Sequence, residues 1–107
     1  MNTKYATYPS LHGRVVLVTG GSAGIGAAIV EAFHAQGSKV AFIDIDEEKA
    51  AILKERLIQK KQFDPYFLKC DVRDVTKLQK CIKKISDEVG KIHTLVNNAG
   101  GTERLSA

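Results

Sequence analysis

The chain has no tryptophan, one methionine, two prolines and two cysteines in 107 residues. Cys70 and Cys81 stand with no C-x-x-C spacing and no histidine cluster beside them, which excludes a disulfide-stapled scaffold and a zinc centre. Both read as reduced packing residues of a cytosolic protein, and no metal ligand is expected. No apolar run approaches the roughly 20 residues that span a bilayer, and the opening stretch to Arg14 lacks the apolar core of a secretory leader. The chain is therefore expected to be soluble and cytoplasmic, with no membrane partner. The excess of positive charge, a net +4, sits on lysines such as Lys54, Lys60, Lys61, Lys77, Lys80, Lys83 and Lys84 with no aromatic residues among them to stack on bases. That pattern reads as solvated helix faces and argues against a nucleic-acid surface. No G-K-[ST] is present, so a P-loop is excluded.

What is present is the composition of one globular domain, 44% hydrophobic, with no repeat or low-complexity segment. Residues 1–13 are polar, carry Pro9 and Gly13, and are expected to form a lead-in arm without an element of its own. Four buried-type residues, V-V-L-V, then mark a first strand from about Arg14 to Thr19, followed by a glycine-rich turn and a helix from about Gly24 to Gln36 that stops at Gly37. A second strand spans Lys39 to Ile45, and Asp46 is placed to cap a second helix that frays near Lys61. The third strand is Tyr66 to Val72. Asp74 then caps the helix with the clearest period in the chain: Val75, Leu78, Ile82, Ile85 and Val89, ended by Gly90. The fourth strand is Ile92 to Val96, leading into N-N-A-G at Asn97 to Gly100; residues 101–107 carry no assignable pattern.

Alternation of strand and helix calls for an α/β fold with a parallel sheet and helical crossovers, and strand order 3-2-1-4 is the dinucleotide-binding arrangement. Such a sheet is roughly 19 Å wide, whereas the one helix on its second face covers about 10 Å. About half of that face is expected to be bare, and the fourth strand to be an unpaired edge.

The stretch Val15 to Gly26, V-V-L-V-T-G-G-S-A-G-I-G, is the centre of the pattern. Gly20, Gly24 and Gly26 allow a sharp turn, a close approach of ligand to backbone, and tight packing of helix on strand, while the helix N-terminus favours a phosphate. Asp44 ends the second strand eighteen residues after Gly26, near the offset at which a carboxylate accepts a ribose diol. It would repel a 2'-phosphate, and the uncharged Ala23 offers that phosphate no cation, so both argue for NAD over NADP. The alternative for Asp44 is a second cap for the helix that follows. Asp71 could accept a hydrogen bond from an adenine amino group; its alternative is a helix cap or plain loop residue.

These pieces together, T-G-G-S-A-G-I-G, the strand-end Asp44, C-D-V at Cys70 to Val72 and N-N-A-G, resemble the short-chain dehydrogenases and reductases over nearly all of residues 11–100. The resemblance implies a Rossmann-type half-domain over residues 14–100, truncated after the fourth strand. It implies that Gly20, Ser22, Ala23 and Ile25 line the pyrophosphate and adenosine ribose of NAD, with Gly24 and Gly26 shaping the turn. Asp44, with Ile45 beside it, would hold the ribose diol, Asp71 and Val72 the adenine, and Asn98, Ala99 and Gly100 the nicotinamide ribose. Asn97 and Thr19 would lock the fourth strand's loop to the glycine turn. The texture of Y-P-S-L-H-G-R and F-I-D-I-D is similar to the branch that oxidises aldose sugars, although G-G-T-E-R-L-S-A departs from that branch.

Members of that family work through a serine and a Y-x-x-x-K pair that normally follow N-N-A-G, and no substitute for these is found. Tyr66 and Lys69 form Y-x-x-K on a strand, where they point to opposite faces. His12, His34 and His93 are scattered and read as packing or surface residues. No catalytic residue is therefore assigned. The chain is expected to be the amino-terminal half of an NAD-dependent alcohol or sugar dehydrogenase, a homo-oligomer when complete and inert by itself. The alternative is a non-catalytic nucleotide-binding module that dimerises through the fourth strand.

Overall fold

The computed structural model describes residues 8–98. Four parallel strands form one sheet: β1 (Val15–Thr19), β2 (Lys39–Asp44), β3 (Tyr66–Lys69) and β4 (Ile92–Asn97), in the order β3-β2-β1-β4. Three helices, α1 (Gly24–Ala35), α2 (Glu47–Ile58) and α3 (Val75–Glu88), make the crossovers. The expected topology is the observed one, and element ends move by one to three residues, β3 being the shortest.

All five residues of β1 are buried, because this strand has a neighbour on each edge and helices on each face. On one face Val16, Val18, Val40 and Phe42 pack with Val30 of α1 and Ala50, Leu53 and Leu57 of α2. The other face joins Val15, Leu17, Ala41 and Ile43 to Cys81 and Ile85 of α3. Each large side chain buried in this way contributes about 1.5–3 kcal/mol. Helix ends follow the sequence: Asp46 accepts the Lys49 N–H at 3.0 Å and Asp74 the Lys77 N–H at 3.1 Å. Each cap satisfies a backbone donor that the helix leaves open.

One expectation needs correction. The arm preceding β1 carries a 3-10 turn at Pro9–Leu11, where proline sets the first helical φ. The arm is then tied down by Ser38 Oγ donating to the Leu11 carbonyl at 2.8 Å and by the Gly13 N–H donating to Gly37 O at 2.8 Å. On the α3 face Leu78, Ile82 and Val89 flank the helix's buried stripe, and β1 and β2 are sealed beneath them. Exposure falls on the two edge strands: Tyr66 and Leu68 of β3 are only partly buried, and Leu95 of β4 is 57% exposed. In β4 the pairing slips by one residue between Ile92 and Thr94, so Ile92 packs on the α3 side and Val96 on the α1 and α2 side.

Candidate cofactor site

The carboxyl ends of β1, β2 and β4 converge on the glycine turn. Gly20 leaves β1 with φ at 66°, and its N–H donates to the Ile43 carbonyl at 2.8 Å, pinning the turn to β2. A side chain at Gly21 would meet Phe42 Cβ at 2.8 Å and Val30 Cγ2 at 2.9 Å, so the turn lies directly on the core. Ala23 starts α1 in extended conformation with no side chain capping the helix, unlike α2 and α3. Gly24 takes φ at +57°, and the space where a side chain would project is open. Ile25 stands 74% exposed beside it. Gly26 faces inward, against the Gly20 carbonyl and 2.9 Å, as measured from an ideal Cβ, from Asn98 Nδ2. This glycine lets α1 press onto the end of β1.

Thr19 joins the two loops. Its hydroxyl donates to Asn97 Oδ1 at 3.0 Å and accepts the Asn98 N–H at 2.8 Å. Asn98 adds a bond the sequence did not suggest, its side-chain amide donating to the Gly20 carbonyl at 3.2 Å. The expected Thr19–Asn97 contact is thus joined by others in holding the end of β4 to the turn. Ala99 and Gly100, also expected at the site, lie outside the described residues.

Asp44 sits at the end of β2, partly buried. One carboxylate oxygen accepts the Ile45 N–H at 2.7 Å and the Asp46 N–H at 3.2 Å. The other accepts both the N–H of Ser22, at 3.1 Å, and its hydroxyl. Burial pushes its pKa up, but the four hydrogen bonds outweigh burial and hold the group below the usual carboxylate range, ionised at neutral pH. Asp44 therefore shapes the β2–α2 turn without capping α2, which Asp46 does, and at the same time fastens that turn to the glycine loop. Ile45 beside it is 60% exposed.

Asp71 caps no helix. Its carboxylate holds the Arg73 guanidinium, at 2.7 Å from Nη2 and 3.0 Å from Nε, together with the Arg73 N–H at 2.9 Å. These bonds pull its pKa down to about 2. Arg73 was not singled out in the sequence, although its offset of two from Asp71 fits a turn-closing contact. Val72 is partly buried against the α3-side core. The pairing of Ser22 with Asp44, across 22 positions, left no sequence signal.

Of the other titratable residues, Lys69 ends β3 in register with Asp44, and the rest are spread over the fold. Tyr66 donates to Glu88 of α3 at 2.8 Å while Lys69 reaches Glu47 of α2 at 3.2 Å, so the two point to opposite faces, as expected. His93 contacts Thr94 Oγ1 through Nδ1 at 2.8 Å, and His12 lies against Phe63. His34 is buried with neither ring nitrogen hydrogen-bonded. Cys70 and Cys81 are free thiols in one core, where burial and the Cys81 thiol push Cys70 up to about 11, well away from a nucleophile's range. Among the described residues no three His, Cys, Asp or Glu side chains gather to hold a metal, and no helix is long and apolar enough to cross a membrane.

A parallel sheet in the order 3-2-1-4, with a glycine turn opening its first helix, defines a Rossmann-type α/β protein. The sequence profile described as short chain dehydrogenase matches residues 14–107, and the chain belongs to that family, whose members depend on a nicotinamide cofactor. A probable galactose dehydrogenase of Rhizobium meliloti is 39% identical over 97% of this chain and 41% of its own length. The NAD(+)-linked 15-hydroxyprostaglandin dehydrogenase of Bos taurus is 42% identical over 84% of this chain and 34% of its own. Among solved structures, the 2-keto-3-deoxy-D-gluconate dehydrogenase of Streptococcus agalactiae superposes with a TM-score of 0.75 at 38% identity, covering 84% of this chain and 34% of that one. The chain thus spans roughly two fifths or less of the length of these relatives.

Proposed function

We propose that this chain is the NAD-binding portion of a short-chain oxidoreductase that moves a hydride between an alcohol or sugar carbon and NAD. The observation that carries the reading is the ionised Asp44 at the end of β2, fastened beside the glycine turn and backed by the exposed Ile25 and Ile45. The site fits a dinucleotide: the space over Gly24 is open, and the α1 N-terminus presents backbone N–H groups that no side chain satisfies. Gly20, Ala23, Gly24, Ile25 and Gly26 would line the phosphates and ribose, Asp44 with the buried Ser22 behind it the diol, Asp71 and Val72 the adenine, and Asn98 the nicotinamide ribose. The bound nicotinamide supplies the hydride acceptor or donor. This chain's own residues bind and orient it; Thr19 and Asn97 fix the spacing of the β1 and β4 ends.

Absence of a cation at Ala23 and the negative charge of Asp44 both support NAD over NADP, as does the NAD(+) in the name of the Bos taurus relative. Sugar dehydrogenases among the relatives support a sugar substrate for the whole protein. The prostaglandin enzyme matches the same half as well as they do. Substrate choice accordingly belongs to residues beyond this half, and an alcohol carbon is the common chemistry.

Replacing Asp44 by alanine tests the reading. NAD affinity is expected to fall by an amount equivalent to about 1–3 kcal/mol, the scale of a hydrogen bond to a charged group, and the preference over NADP to shrink. Titration of each cofactor against the folded variant measures both. A preference that survives intact would reduce Asp44 to a turn former.

A further inference from the structure

Four donors orient the Asp44 carboxylate: the N–H groups of Ile45, Asp46 and Ser22, and the Ser22 hydroxyl. Three of these donors are backbone groups fixed by the course of the chain. Only the Ser22 hydroxyl sits on a rotatable bond. Ser22 is itself buried, and its other neighbours are the glycine turn on one side and Ala23, which opens α1, on the other. The hydroxyl therefore spans the gap between the loop that would meet phosphate and the carboxylate that would meet ribose.

We infer that Ser22 is a positioning residue for cofactor selectivity: its hydroxyl orients the Asp44 carboxylate and fixes its distance from the glycine turn, acting through Asp44 and not by its own contact with the cofactor. This inference rests on the reading of Asp44 as the ribose acceptor. Its physical basis is that an anion repels a 2'-phosphate only while it stays charged and in place. Partial burial works against the charge, and the hydroxyl of Ser22 is among the bonds that offset it. Without that hydroxyl the carboxylate keeps three donors, gains freedom to turn toward solvent, and discriminates less between a 2'-hydroxyl and a 2'-phosphate.

The test uses the full chain and four proteins: wild type, Ser22→Ala, Asp44→Asn, and the two changes combined. Carbon-detected NMR follows the Asp44 carboxyl through a pH titration in the two proteins that retain it, and NAD and NADP are titrated against all four. In Ser22→Ala the Asp44 midpoint should rise by about one pH unit, the scale of one lost charge-assisted bond. NAD should bind about 5- to 10-fold more weakly, with NADP little changed, so that the preference narrows. In the Asp44→Asn background the serine change should have no further effect on either cofactor.

An Asp44 midpoint unmoved by Ser22→Ala would overturn the inference, as would an equal loss of NAD affinity in the Asp44→Asn background, which would make Ser22 a direct cofactor contact. Failure of the wild type to bind either dinucleotide would instead strike the proposed function. The carboxyl titration, which needs no cofactor, separates the two failures.

Discussion

Gly26→Ala reverses the sign that helix propensity alone would give. Alanine is better than glycine by up to about 1 kcal/mol inside a helix, and the backbone of Gly26 carries no positive φ that an alanine would strain. Local reasoning thus expects a more stable protein. An ideal Cβ at this position, however, falls within the contact radius of the Gly20 carbonyl oxygen, 2.8 Å from its carbon and 2.9 Å from Asn98 Nδ2. None of the first two atoms can rotate away, because the Gly20 N–H is bonded to Ile43 O and holds the turn on β2. The first turn of α1 must lift off the end of β1 instead. Overpacking of this kind costs about 1–3 kcal/mol, and the bond from Asn98 to Gly20 O, worth about 0.5–1.5 kcal/mol, is strained or lost. Set against the propensity gain, the net expectation is destabilisation by about 1–3 kcal/mol. Urea unfolding followed by far-ultraviolet circular dichroism measures it, with the midpoint moving and the slope unchanged. Gly24→Ala is the control. Nothing lies within 4 Å of its Cβ position, so its cost is confined to the left-handed φ, about 1–2 kcal/mol. A Gly26→Ala protein as stable as the wild type would refute the argument, because it would mean that α1 does not rest on the Gly20 carbonyl.

Two pH-dependent outcomes follow from the same structure. Burial lowers the pKa of His34, outweighing the Phe63 backbone, which raises it; the nearby Lys60 lowers it further, and the charges of Asp64 and Glu31 raise it. A histidine held neutral by the fold contributes its stability fully above its unfolded pKa of 6.5 and loses it as pH falls through the lower folded value. Thermal melts of the wild type should therefore decline below pH 6.5, and His34→Phe should remove that part of the decline; identical acid profiles would disprove it. Asp71, at the surface, changes in the same direction over a lower pH range, held at about 2 by Arg73. Its contribution is present above the ordinary value of 3.8 and is lost between 3.8 and about 2 as pH falls. In Arg73→Ala the carboxyl titration of Asp71, followed by NMR, should return toward 3.8, and a midpoint still near 2 would assign the shift to another cause.

The fold was legible because each of its parts announces itself over a short range. Val15 to Val18 can only be a strand covered on both faces, Asp46 and Asp74 stand where helices need caps, and Val75, Leu78, Ile82, Ile85 and Val89 repeat with the helical period. Chirality and connectivity then narrow the sheet orders open to such a series, and the glycine turn points to 3-2-1-4 among them. The 3-10 turn at Pro9–Leu11 was missed because three residues carry no period to read.

The site divides in the same way. By itself the sequence determined that a glycine turn precedes a helix, that a carboxylate ends β2, and that Thr19 and Asn97 close neighbouring strands, since each is a matter of residue type at a position along one element. Only the tertiary structure decided which partners those groups take. Ser22 meets Asp44 across 22 residues, and Asn98 meets Gly20 across 78. Asp71 turns to Arg73 although Asp74, three residues on, does the capping. Side-chain hydrogen bonds of this kind depend on where the sheet order brings two loops within about 3 Å of each other, and that distance is a property of the assembled sheet.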